Sequence, residues 1–173
     1  KFLINDLFQS VVGLENGRDP LTRALNRRFL PTILSREISL ATSSGAALSL
    51  IMLDVDHFKS INDQFGHSAG DVVLKQVAEI ISDNVRLSDF VFRYGGEEFL
   101  IVLVETSPQE AHVVAERIRE QLATRDMRLP SGGAMRVTAS LGIAAFSDHP
   151  DYNELIETAD KALYDPKHSG RNC

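Results

Sequence analysis

Tryptophan is absent, cysteine occurs once, and no apolar run is long enough to cross a bilayer. The single cysteine is Cys173, the last residue, so no intrachain disulfide is possible and nothing points to an oxidising compartment. A cytoplasmic setting is the expectation. The longest mostly apolar stretch, Ala46 to Leu53, stops at Asp54, far short of the roughly 20 residues a membrane helix needs, and no signal peptide is legible. A surplus of Lys and Arg is missing too. The 24 acidic residues against 18 basic ones give a formal net charge of -6, the wrong balance for a protein that tracks the phosphates of a nucleic-acid duplex. A small nucleotide held by a few local cations and a metal ion stays compatible. His57, His67, His112, His149 and His168 lack the paired spacing of a zinc site and read as loop or surface residues. No spacing argues for a Ser-His-Asp arrangement.

What is there suffices for one folded domain: 173 residues, 43% apolar and 24% charged. The chain opens on Lys1 and its last helix runs almost to the end, as expected of a piece of a longer protein. Ile4, Leu7, Val11 and Leu14 follow a/d spacing over two heptads, which predicts a linker or signalling helix over residues 1–17, with an amphipathic helix lying on its own domain as the other reading. Asp19-Pro20 then restarts the chain at a domain spanning 18–173. Leu25, Phe29, Leu30, Ile33, Leu34, Ile38 and Leu40 predict a helix between Leu21 and Ser44. The apolar run Leu48 to Val55 predicts a central strand covered on both faces.

Val72 to Val85 is amphipathic at helical spacing. Phe90 to Arg93 and Phe99 to Val104 flank Gly-Gly as a hairpin. Ser107-Pro108-Gln109-Glu110 has the form of a capping box that starts a helix to about Leu122. Met135 to Phe146 reads as a strand, and a last helix after Asp151 turns Ile156, Ala159 and Leu163 inward. Proline at 166 predicts that this helix ends early. The order implies an α/β fold, an α+β sandwich with a central mixed sheet flanked by helices, of the ferredoxin-like split βαβ type.

Two acidic elements carry the chemistry. Asp54-Val55-Asp56 closes the central strand where α/β sheets open to ligands, and the hairpin turn carries Glu97-Glu98. A hard divalent ion needs only one or two carboxylates plus substrate phosphates, so Asp54 with Glu97 would suffice. Two such ions would clamp a triphosphate and activate a hydroxyl. Either element alone also reads as a solvated strand end or a polar turn.

Arg93-Tyr94-Gly95-Gly96-Glu97-Glu98-Phe99 resembles the signature of GGDEF-domain diguanylate cyclases, in the variant with Glu third. Asp54-Val55-Asp56-His57-Phe58-Lys59-Ser60-Ile61-Asn62-Asp63, Phe65-Gly66-His67, Gly70-Asp71, Asp19-Pro20-Leu21-Thr22, Asn26-Arg27-Arg28, Ala159-Asp160 and Ala162-Leu163-Tyr164 also resemble family motifs, in family order. The resemblance covers residues 19 to 172 and implies the palm-type fold of nucleotidyl cyclases. It further implies an enzyme that joins two GTP into cyclic di-GMP and releases two pyrophosphates. In that family's terms Asp54, Glu97 and the Val55 carbonyl hold Mg2+ or Mn2+, two ions per site. Lys59 and the N–H groups of His57 and Phe58 face the β- and γ-phosphates, as a nest of amides would. The family leaves open which of Glu97 and Glu98 deprotonates the ribose 3'-hydroxyl: Glu97 is assigned to the metal and to the base, Glu98 to a supporting role, and Gly96 lets the turn approach the nucleotide.

Asn62 and Asp71 read guanine, whose adjacent N1–H and N2–H2 donors suit a carboxylate. Lys167 and Arg171 match phosphate-contacting cations, although Pro166-Lys167 replaces the usual Ala-Lys and Arg23-Ala24 the usual Gly-Leu. Arg86-Leu87-Ser88-Asp89 has the spacing of the family's inhibitory RxxD site for the product, with Arg117 in support. Each domain binds one GTP, so the resemblance implies a homodimer, and an upstream sensor in the same chain. Arg18 to Thr22 with Leu25 to Ile33 is similar to globin-coupled, haem-sensing cyclases. Two other readings compete: a module that binds GTP or cyclic di-GMP without turnover, and a palm-type cyclase making a different product.

Overall fold

The run Leu48–Val55 is buried at every position, because apolar side chains leave it on both sides and helices cover both. Leu48, Leu50 and Met52 join a cluster with Ile33, Leu34, Leu155 and Ala159, while Ile51, Leu53 and Val55 join another with Val73, Val77, Ile118 and Leu122. Each fully buried aliphatic side chain of this kind contributes about 2 kcal/mol. The strand that carries Asp54 is therefore firmly held.

A computed structural model of the chain describes residues 17–149, 151–168 (the last three by backbone only) and 170–173. In order come β1 (Leu25–Asn26), a 3-10 turn (Arg27–Phe29), α1 (Leu30–Ser44), β2 (Leu48–Val55), α2 (Phe58–Phe65) and α3 (His67–Asn84). They are followed by β3 (Phe90–Arg93), β4 (Glu98–Val104), α4 (Pro108–Thr124), β5 (Met127–Arg128), β6 (Ala134–Met135), β7 (Ala139–Ala145) and α5 (Tyr152–His168). The main sheet runs β1-β3-β4-β2-β7, antiparallel except where β1 lies parallel to β3. Without β1, that is the ferredoxin-like order expected of a split βαβ fold. Helices α3 and α4 pack on one face, α1 and α5 on the other. Gly142 on β7 brings α5 onto the strand: a Cβ there would overlap the Ala159 carbonyl and the Leu163 main chain. Among the described residues no helix is long and apolar enough to cross a membrane.

Several boundaries differ from the sequence expectations. The helix predicted from Leu21 begins only at Leu30, because Leu25 pairs with Phe92 and the Asn26 side chain accepts from the Arg28 N–H to start a 3-10 turn. Pro31 also lacks an N–H and is tolerated only in a first turn. The strand expected over Met135 to Phe146 is two: Met135 pairs with Met127 in a small second sheet, and β7 starts at Ala139. Helix α2 was not expected, and α3 starts five residues before Val72. The capping box of α4 is present, Ser107 Oγ accepting from Glu110 N–H and Glu110 accepting from Ser107 N–H. Helix α5 does not end at Pro166 but continues to His168. A proline in the last turn removes one main-chain bond next to carbonyls that have no helical partner anyway, a smaller loss than in an interior. The predicted linker helix over residues 1–17 lies outside the described residues apart from Gly17.

Arg23 adopts φ +63°, a left-handed conformation costing a non-glycine residue about 1–2 kcal/mol. This position follows Leu21-Thr22, where the resemblance leads one to expect glycine.

Candidate active site

Strands β2 and β4 run antiparallel, so the end of β2 meets the turn that opens β4. Asp54 stands directly opposite Glu98, and Val55 N–H donates to the Glu97 carbonyl at 3.2 Å. Facing positions of such a pair have Cβ atoms about 5 Å apart. Asp54, Val55 and Glu97 are thus neighbours, with Glu98 across the pair from Asp54. The N–H groups of Tyr94 and Gly95 both donate to the Glu98 carbonyl, at 2.8 and 3.2 Å, the two-against-one pattern of a bulge. A Cβ on Gly95 would run into the Glu98 carboxylate. Gly96 differs: its φ is not positive and nothing lies within 4 Å of where its Cβ would be. Neither conformation nor a protein neighbour demands glycine there.

Asp56, two residues beyond Asp54, is turned to another task. It is 4% exposed and accepts from Thr138 Oγ1 at 2.7 Å, Ser140 Oγ at 2.8 Å and Asn172 N–H at 3.1 Å. Its carboxylate ties β2 to β7 and to the C-terminal segment. Asp56→Ala is therefore expected to cost about 3 kcal/mol, since it leaves buried donors unpaired, and a lowered urea midpoint would register it.

Helix α2 begins at His57, whose φ of +55° and ψ of 28° are left-handed and whose side chain makes no capping bond. A left-handed residue followed by helical ones turns successive N–H groups to one side, the geometry that binds anions at helix starts. Lys59 is exposed on the first turn, and Asn62 is half-buried on the second. A Cβ on Gly70 would overlap the Asn62 amide oxygen, so Asn62 lies against the start of α3 beside the exposed Asp71. Arg171 is exposed next to Asn172, which Asp56 and Arg119 hold: Arg119 Nη1 donates to the Asn172 side-chain oxygen at 3.3 Å. The Lys167 side chain lies outside the described atoms.

Arg93 and Asp19 support the turn from behind, and neither was expected to act on it. The Arg93 guanidinium donates to Asp19 Oδ2 at 3.0 Å and to the Gly96 carbonyl at 2.9 Å. Burial alone would raise the Asp19 carboxyl, but the Thr22 hydroxyl and N–H and Arg93 outweigh it, and its pKa falls below the usual value. Arg27 stacks 3.9 Å from the Tyr94 ring centre and donates to the Tyr94 carbonyl.

Arg86, Asp89 and Arg117 line one cavity of about 650 Å³ bordered by the end of α3 and by α4. Asp89 is 8% exposed and accepts from the N–H groups of Arg86 and Val104 at 2.7 and 3.0 Å. Burial raises its pKa despite these bonds and the nearby Arg86 charge. Arg117 donates to the Asn84 side chain and carbonyl at 2.6 and 3.1 Å. The Asp89 carboxylate thus shapes the loop by main-chain bonds as well as facing the cavity.

The family model described as "Diguanylate cyclase, GGDEF domain" matches residues 16–173. The chain belongs to the GGDEF family. It is 49% identical to diguanylate cyclase DosC of Escherichia coli (strain K12) over 98% of this chain and 37% of that protein. The chain therefore spans little more than a third of that relative's length. Among solved structures, the GGDEF domain of DgcB from Caulobacter crescentus in complex with c-di-GMP is similar at TM-score 0.88 and 33% identity, covering 91% of each chain. The active GGEEF domain of a diguanylate cyclase from Vibrio cholerae is similar at TM-score 0.79 and 36% identity, covering 85% of this chain and 93% of that one.

The GGDEF family implies a divalent metal, and the donors here fit one. The corner formed by Asp54, the Val55 carbonyl and Glu97 offers oxygen alone. Among the described residues no cluster of three or more His, Cys, Asp or Glu could hold a metal by itself. A hard divalent cation takes oxygen donors like those of the Asp54, Val55 and Glu97 corner and completes its shell with phosphate and water.

Proposed function

We propose that this GGDEF domain condenses two GTP molecules into cyclic di-GMP, releasing two pyrophosphates, as the output unit of a longer cytoplasmic sensor protein. The observation that carries this reading is the convergence, at one end of β2, of three elements: the Asp54–Glu98 strand pair, the uncapped start of α2, and the Asn62–Gly70 contact. Mg2+ or Mn2+, two per site, would supply charge to the triphosphate and acidity to the attacking hydroxyl. Asp54, Glu97 and the Val55 carbonyl would hold that charge in place.

The N–H groups of His57 and Phe58, with Lys59, bind the β- and γ-phosphates, which leave as pyrophosphate, and Lys167 and Arg171 add cations from the C-terminal side. Asn62 and Asp71 fix the guanine, and Gly96 leaves room for the nucleotide at the tip of the turn. One carboxylate of the pair Glu97 and Glu98 takes up the proton of the 3'-hydroxyl, Glu97 beside its metal role and Glu98 in support. The 3'-oxygen of one GTP then attacks the α-phosphorus of the other, a step promoted by alignment and fixed charge. Each domain holds one GTP and the product has two such linkages, so the working form is a homodimer with two sites face to face.

Arg86, Asp89 and Arg117 bind the product and stop its synthesis, as cations and a carboxylate around one cavity suit phosphates and guanine edges. The upstream segment carries a globin-type haem sensor, and a haem absorption band in the full-length protein tests that point. The activity itself is tested by incubating the full-length protein with GTP and Mg2+ and separating the products by anion exchange. Cyclic di-GMP with two equivalents of pyrophosphate is expected. Bound but unconsumed GTP would leave a binding module, and a cyclic mononucleotide would make this a different cyclase.

A further inference from the structure

Arg23 occupies a conformation that a glycine would accept without strain. Its φ is +63°, and the turn around it is closed by main-chain groups: Arg23 N–H to the Asp19 carbonyl at 2.8 Å and Asp19 N–H to the Ala24 carbonyl at 2.7 Å. Arg18 adds a guanidinium bond to the Arg23 carbonyl at 2.9 Å. Glycine would keep all of these bonds. The side chain is what the residue adds over glycine, and a non-glycine residue held at such a backbone φ points to a task.

The side chain stands at a charged cleft. Arg23, Arg18 and Arg86 line a cavity of about 280 Å³, whose one carboxylate is Asp89. That carboxylate is already engaged by the N–H groups of Arg86 and Val104. Arg86 and Asp89 also line the 650 Å³ cavity that contains Arg117, so Arg86 stands where the two meet. On its other side Arg23 borders a groove with Glu79 and Asp83, yet among the described residues it forms an ion pair with neither. Three arginines thus line one cleft in a chain of net charge -6, a local surplus of positive charge. Leu87, 87% exposed, adds an apolar edge beside them.

We propose that the regulatory product site extends past Arg86 into this second cleft, where Arg23, with Arg18 beside it, binds a phosphodiester of cyclic di-GMP. The proposal rests on the reading of Arg86, Asp89 and Arg117 as the product site. Guanidinium groups suit this ligand because they present paired N–H donors to two phosphate oxygens.

Titration calorimetry of cyclic di-GMP into the protein and its variants tests it, with thermal melting alongside. Arg23→Gly is expected to weaken binding about 10-fold with a melting temperature equal to or above that of the parent, since the turn is relieved. Arg23→Lys, which keeps the charge without the paired donors, should fall between. Arg86→Ala should abolish binding. Unchanged affinity in Arg23→Gly, with binding lost in Arg86→Ala, would overturn the extension and leave the product site standing. Unchanged affinity in Arg86→Ala would remove the product site and the extension with it. A lower melting temperature in Arg23→Gly would make Arg23 a structural residue and also overturn the proposal.

Discussion

Asp54→Asn is expected to lower cyclic di-GMP formation by about 10³-fold, the scale on which a single charge-stabilising group at a reacting phosphate or carbonyl acts. The substitution keeps the shape of the side chain and removes its charge. Strand β2 is buried along its length and paired on both edges, so the fold tolerates the change. Asp54 also faces Glu98 across the pair, and like charges directly opposite one another are destabilising. Without metal, Asp54→Asn should therefore melt at the same temperature as the parent or slightly higher. Turnover at saturating GTP and a metal-free melting curve read the two effects separately. Asp56→Ala gives the opposite pattern, with lost stability as its first effect, because its carboxylate serves Thr138, Ser140 and Asn172. Retained turnover in Asp54→Asn would mean that the metal corner lies elsewhere.

Such a division between two aspartates two residues apart was not legible in the sequence. Local signals carried the strand Leu48–Val55, the hairpin about the glycines and the capping box at Ser107, because each is decided by neighbours within a few residues. The role of Asp56 depends on partners 82, 84 and 116 residues away. The Arg93–Asp19 bond spans 74. Strand β1 has two residues, too few for any period, and exists because Leu25 and Asn26 find Phe92 and Arg93. Helix α2 has only eight residues, and its buried Phe58 and Ile61 were visible as a motif before they were visible as a face. Pro166 misled because proline was weighed as an interior residue, while it stands in the last turn of α5. The resemblance, by contrast, brought together Asn62, Gly70 and Asp71, and the structure supplies the reason for the glycine among them: the Asn62 amide lies where its side chain would be.

On the proposed reading of Asn62 and Asp71 as the guanine-binding pair, base selection draws on two helices at once, and Asp71→Asn is expected to disable it. Guanine presents N1–H and N2–H2 side by side, and a carboxylate accepts from both, whereas an amide must turn a donor toward one of them. A site built to receive hydrogen bonds rejects a mismatched partner strongly, so kcat/KM for GTP should fall about 10³-fold while the low rate with ATP changes little. Adenine offers an acceptor at the same edge and already opposes the carboxylate in the parent. ITP, which lacks the 2-amino group, separates the two donors: the parent should use it about 10-fold less well than GTP, and Asp71→Ala should use both alike. Gly70→Ala should act in the same direction without touching the carboxylate, because the added methyl group displaces Asn62. An unchanged GTP to ATP ratio in Asp71→Asn would remove Asp71 from base recognition and leave guanine selection to other residues.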